Sequence, residues 1–241
     1  MRSPADEQRE LIKLQDHDLH LARLDHQAKT LPILKDLAHA TEGYESHEAL
    51  AIASATEKSD IEIELNRSAA DVEQVDMRIA KDQMVIDSGS ASAKDLQNLM
   101  GEMESLKKRK QELEEVELEI MVRIEDAEKR RVHHESERDR FKAEVDRLTR
   151  ERDLALAEIQ SERDEVTSAR AAIAASLTQE LLDLYNKIKE SNGGIGAARL
   201  KDGKCDGCHL AINTVELGRI KSLADDEVVR CEECRRILVR I

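Results

Sequence analysis

Apolar residues recur at helical spacing along most of this chain, and the recurrence stops at residues that end helices. Leu11, Leu14, Leu21, Leu24 and Ala28 share one helix face. Ser3, Pro4, Asp6 and Glu7 ahead of them read as a helix start: Ser3 as cap, proline at the first helical position, acid in the first turn. Pro32 lacks an N–H donor and disfavours helix at the residue before it. The spacing predicts a first helix over about 4–29, then a break, with Thr30 capping the next helix.

A second helix is expected over about 33–87. Its seven-residue column is Leu37, Tyr44, Ala51, Lys58, Leu65, Val72, Ile79 and Ile86, as a coiled-coil seam requires. The partner column is poorer, with Asp76 and Gln83 beside Ala55 and Ala69. Ser88-Gly89-Ser90-Ala91-Ser92 suits the turn of a helical hairpin, with Ser90 or Ser92 as the next cap. A third helix over about 94–190 carries Leu99, Leu106, Leu113, Ile120, Ala127, His134, Phe141 and Leu148 in one column. Asn192-Gly193-Gly194 ends it.

The seam is apolar over 96–124 and polar over 128–140. A turn near residue 90 places residue r opposite roughly 180 − r, so 128–140 faces about 40–52, which holds Gly43, Glu45, His47 and Glu48. Lys129, Arg130, Arg131, Arg138 and Arg140 make this waist a basic interruption in an acidic chain. One reading is a partner-binding segment. The plainer one is charge pairing with Glu42, Glu45 and Glu48 opposite. His133 and His134, as adjacent helical residues, are expected on different faces.

Composition agrees with long helices. Tyr44, Phe141 and Tyr185 are the only aromatics, and 37% of the 241 residues are charged. The formal charge of −14 argues against a whole-protein grip on phosphate. No apolar run suits a membrane span or a signal peptide, so a cytoplasmic location with reduced cysteines is expected.

All four cysteines lie near the C-terminus, as Cys205-Asp-Gly-Cys208 and Cys231-Glu-Glu-Cys234. Two C-x-x-C turns at this separation point four sulfurs at one ion, the spacing of a structural Zn2+ site; iron would use the same geometry. Four thiolates leave no coordination position open for catalysis. His209, next to Cys208, reads as an exposed knuckle residue. Residues 195–241 form the ribbon, with short runs at Ile195–Leu200, Leu210–Asn213, Val228–Arg230 and Ile237–Ile241 suited to its hairpins. The fold class expected is mainly α: a long antiparallel coiled-coil hairpin over 1–192, then a small β-rich C4 zinc ribbon. So small a unit depends on its ion for folding energy.

Three segments resemble a bacterial family of long helical hairpins followed by C4-type zinc ribbons. They are Ala93–Arg109, Leu184-Tyr185 through Gly193-Gly194, and the two knuckles with their flanks, Gly203–His209 and Val229–Leu238. The family places glycine after the last cysteine, where this chain has Arg235, and an aromatic after Ile-Leu, where it has Val239. The resemblance implies the fold and the four metal ligands. Some relatives in flagellated bacteria bind an alternative sigma factor, and at least one is described as binding flagellin messenger RNA. Nothing in this sequence points to flagella.

No phosphate-binding loop, nucleotide fingerprint or nucleophile elbow is present, so an enzyme or a small-molecule substrate is not expected. Two functions remain. The first is an adaptor that binds a protein partner, with the transcription and translation machinery as candidates. The second is a nucleic-acid-binding module using Arg219, Lys221, Arg230, Arg235, Arg236 and Arg240. Against it, residues 195–241 hold nine Lys/Arg and eight Asp/Glu, near neutrality once the metal cage is counted, and no aromatic for base stacking.

Overall fold

The computed structural model describes residues 1–240. The elements are α1 (Ala5–Lys29), α2 (Ile33–Asp87), α3 (Ala93–Ser176), α4 (Gln179–Ser191), β1 (Ala197–Lys201), β2 (Lys204–Cys205), α5 (Thr214–Ser222), β3 (Val229–Arg230) and β4 (Ile237–Arg240). They form two compact units: Lys35–Thr149, and Met1–Leu34 together with Arg150–Ile241.

In the Lys35–Thr149 unit, α2 and α3 run antiparallel from a turn at Ser88–Ser92. Ser92 caps α3: its hydroxyl accepts from the Asp95 N–H at 3.3 Å and donates to the Asp95 carboxylate at 2.6 Å. Ile61, Ile120 and Ala127 form the buried seam, with Leu65 and Ile124 against them. At the waist the facing is as the turn implies, with His47 against His134 and Phe141 against Gly43. A Cβ on Gly43 would lie 2.5 Å from Phe141, so glycine is what admits the ring. His133 and His134 do not diverge as adjacent helical residues should; their ring centroids lie 5.3 Å apart.

The basic residues of the waist take carboxylates other than Glu42, Glu45 and Glu48 as their ion-pair partners, with Glu48 adding only a longer-range attraction to Arg138. Arg130 reaches Glu57, Arg131 reaches Glu128 and Glu135, and Lys129 reaches Asp126. Arg138 reaches Asp139, while Arg140 reaches Glu137 and covers the Phe141 ring at 4.8 Å. Four of the five pair within about one turn of α3, where little ordering is needed, and Arg130 alone crosses to α2.

In the other unit, three expectations change. Ser3 does not cap α1. Pro4 occupies that position, while the Ser3 N–H donates to the Asp226 carbonyl at 2.7 Å and its hydroxyl donates to Glu7. Thr30 closes α1 rather than opening α2, because its hydroxyl donates back to the His26 carbonyl. The single helix expected over 94–190 breaks at Leu177–Thr178 into α3 and α4. The cause comes from α1: the Glu7 carboxylate accepts from both the N–H and the hydroxyl of Thr178, fixing a new helix N-terminus. The new helix, α4, buries Leu181, Tyr185 and Ile188.

The ribbon is a four-stranded sheet in the order β2-β1-β4-β3. Its centre is not a hairpin, since β1 and β4 pair in parallel, Ala197 opposite Ile237 through Leu200 opposite Arg240. Leu210–Asn213 forms no strand beyond a bridge at Ala211, and the stretch after it, which carries Arg219 and Lys221, is α5, capped by the Asn213 carboxamide accepting from the Glu216 N–H at 2.7 Å.

Alternation along β1 and β4 splits the core in two. Ala197, Ile237 and Val239 join Leu11, Leu14, Leu181, Tyr185 and Ile188 from α1 and α4. Ala198 and Leu238 join Ile220, Val229, Cys205 and Cys231. The ribbon therefore shares one of its cores with the first and fourth helices.

Polar groups lock that shared core. The Gln15 carboxamide oxygen accepts from the Gly196 and Ala197 N–H groups, and its nitrogen donates to the Gly194 carbonyl. Asp18 accepts from Arg170, Lys189 and the Tyr185 hydroxyl, the last at 2.6 Å. Burial opposes ionisation of Asp18, but these donors prevail and hold its carboxyl below the usual range.

Replacing Asp18 with Ala strands three donors and should lower stability by about 3 kcal/mol, read as a fall in the midpoint of chemical denaturation. A depressed folded-state value means stability present above about pH 4 and lost as the pH falls through that value. The gap between wild type and Asp18→Asn should therefore close under acid.

Candidate metal centre

Each C-x-x-C pair sits in the same local turn. In the first, the Cys205 N–H donates to the Leu210 carbonyl and the His209 N–H to the Cys205 carbonyl. In the second, the Cys231 N–H donates to the Arg236 carbonyl and the Arg235 N–H to the Cys231 carbonyl. The residue after each second cysteine is forced to positive φ, 61° at His209 and 63° at Arg235. Both residues are exposed. The Arg235 position is thus a left-handed one, where glycine carries no Cβ penalty.

The four sulfurs close on one point. Cys205 Sγ lies 3.8 Å from Cys234 Sγ, Cys208 Sγ lies 3.9 Å from Cys231 Sγ, and all four fall within 4.8 Å of one another. A tetrahedral ion with sulfur bonds of about 2.3 Å needs edges of about 3.8 Å. The donor set and its dimensions fit one structural Zn2+, bound by Cys205, Cys208, Cys231 and Cys234. Among the described residues, no other group of three or more such donors comes so close together.

Thiol acidity shows which sulfurs the protein alone favours as thiolates. Burial pushes the Cys205 thiol up to about 12 and raises that of Cys231. Burial also opposes ionisation of Cys234, yet the backbone N–H and guanidinium of Arg236 and the neighbouring thiols bring it down to about 7. The ion supplies the stabilisation that Cys205 and Cys231 lack.

Arg236 spans both knuckles. Its guanidinium donates to the carbonyls of Ile195, Gly207 and Asn192 at 2.9–3.1 Å. A Cβ on Gly207 would meet Arg236 at 2.8 Å, so the close approach needs glycine. Arg240 donates to the carbonyls of Ile220, Leu223, Ala224, Asp225 and Glu227, closing the end of α5. Arg219 pairs with Glu216, and Arg230 donates to the Arg235 carbonyl. Of the six basic residues picked out in the ribbon, Arg236 and Arg240 are internal clamps, while Lys221 and Arg235 are exposed. Gln15 and Asp18 escaped sequence reading, and Glu7 was read only as a first-turn acid, because a polar residue in a helix facing a core looks like one facing water. The uninterrupted apolar run Ile237-Leu238-Val239 was the available sign of a strand buried on both faces.

Cys231→Ser should release the zinc, measured by elemental analysis, and expose the core around Ile220 and Leu238. Far-ultraviolet circular dichroism should keep nearly all its helical signal. Arg235→Gly should raise stability by about 1 kcal/mol with zinc content unchanged, because it removes a left-handed side chain without touching a ligand.

Comparison with known proteins bears directly on these features. A model of the CT398-like coiled coil hairpin domain matches residues 14–193, and one of the C4-type zinc ribbon domain matches residues 204–238. The uncharacterized protein Rv2229c of Mycobacterium tuberculosis is 31% identical over 241 residues, covering 100% of this chain and 98% of that protein. A solved structure from Mycobacterium smegmatis superposes with a TM-score of 0.89 at 30% identity, covering all of both chains. CT398 from Chlamydia trachomatis superposes at 0.76 with 17% identity over 98% of each chain, a likeness of fold. The chain belongs to the CT398-like coiled-coil hairpin family and carries that hairpin together with a C4-type zinc ribbon.

Proposed function

We propose that this protein is a non-enzymatic adaptor that binds a protein partner, with components of the transcription or translation machinery as the first candidates. One observation carries the reading. Leu118, Met121 and Val122 lie within about one turn of α3 and are 62%, 48% and 57% exposed. They point away from the seam formed by Ile120, Ile124 and Ala127. Single exposed apolar residues are ordinary, but a cluster on the outer face of a charged helix favours contact with another protein. Glu114, Glu115 and Glu125 border the cluster in sequence, so basic residues around an apolar anchor suit the partner.

The closed sulfur cage supports a structural ion rather than a catalytic one. A nucleic-acid grip through the ribbon is less favoured, since Arg236 and Arg240 are engaged with backbone carbonyls. No helix among the described residues is long and apolar enough to cross a membrane.

The test is site-specific photo-crosslinking in cells from position 118, with position 221 on the ribbon as comparison. The reading expects a defined protein adduct at 118, lost on Met121→Glu with Val122→Glu. The purified partner should also bind the double variant at least tenfold more weakly. RNA adducts at 221 with none of protein at 118 would overturn it.

A further inference from the structure

Three imidazoles meet at the waist of the Lys35–Thr149 unit. His47 comes from α2, and His133 and His134 from α3. Their ring centroids lie 5.3, 5.4 and 6.4 Å apart, and the Nδ1 atoms of His47 and His134 are 3.2 Å apart. His47 also stacks on Phe141, at 5.6 Å between centroids and 20° between planes. The Phe141 ring fills the slot over Gly43, so His47 is held against the seam by packing. A seam position normally takes an apolar residue. Here two ring nitrogens occupy it, sharing one hydrogen bond, with a third imidazole beside them.

Those dimensions suit a transition-metal ion. Metal–nitrogen bonds of about 2.0–2.1 Å at a tetrahedral angle place two donor nitrogens about 3.3 Å apart, and put the ring centres about 5.2 Å apart. We propose that His47 and His134 form a second metal site, distinct from the cysteine cage, which takes a borderline divalent ion such as Zn2+ or Ni2+ between their Nδ1 atoms. His133, exposed at the same level, turns its ring to become the third donor, and solvent fills the remaining positions. On binding, the ring that carries its proton on Nδ1 shifts it to Nε2, so both Nδ1 lone pairs face the ion.

The surroundings allow a cation. Arg130 is engaged by Glu57, and Arg131 by Glu128 and Glu135. Arg138 pairs with Asp139, and Glu48 lies close enough to Tyr44 to raise its hydroxyl's pKa. Burial first, and then His133, His47 and Arg130, lower the proton affinity of His134 and so favour its neutral ring. An ion held by both helices binds the folded hairpin alone and stabilises it.

The test uses the full chain already holding one zinc in its cysteine cage, titrated with Ni2+ by calorimetry at pH 7.5. Wild type should take up one further equivalent and unfold at a higher temperature with Ni2+ than without. His47→Gln and His134→Gln should each lose that equivalent and the thermal shift, while keeping one zinc and full helicity. His17→Gln and His26→Gln, away from the waist, should change neither. Uptake that persists in both waist variants, or no second equivalent in wild type, would overturn the proposal.

Discussion

Four sulfurs around one ion is the constraint on which the C-terminal part of this structure depends. The knuckles are two short turns that keep little apolar surface for themselves, and burial alone disfavours the thiolates of Cys205 and Cys231. A divalent ion would reverse that balance and tie the end of β2 to the turn between β3 and β4 in one step. Arg236 then ties the two turns together, and Arg240 closes α5 above them.

The ion secures only one face of the sheet. The other is secured by ordinary packing, with Ile237 and Val239 against Leu11, Leu14, Leu181 and Tyr185. Gln15 and Asp18 supply the hydrogen bonds that fix this docking. Glu7 holds the start of α4 through Thr178, and the apolar stripe of α4 packs on the sheet. A ribbon too small to fold on cage energy alone thus borrows a second core from helices distant in sequence.

How much of this was legible depended on the range of the interactions. Helical periodicity is local, and it located α1, α2 and the start of α3 to within a residue or so. Ligand spacing is local as well, and it named the four cysteines, while the position of Arg235 stood out only through the family resemblance, which places glycine there. The break at Leu177–Thr178 was hidden because its cause, Glu7, lies far away in sequence and no glycine or proline marks it. α5 was hidden for a different reason: Asn213 and Glu216 form a short-range start signal, but it fell inside a segment read only for the hairpins of a ribbon. The roles of Arg236 and Arg240 could not be read from charge, since a guanidinium that saturates buried carbonyls and one that meets solvent look alike in sequence.

The central claim is that the sheet has one metal-dependent face and one metal-independent face. Hydrogen exchange measured before and after removal of zinc by a chelator tests it most directly. The account predicts that amides of Cys205–Leu210, Thr214–Ser222 and Cys231–Arg236 lose protection, while those of Leu11–Asp18 and Leu181–Ile188 keep most of theirs. Uniform loss across both groups, or no loss at the knuckles, would contradict it.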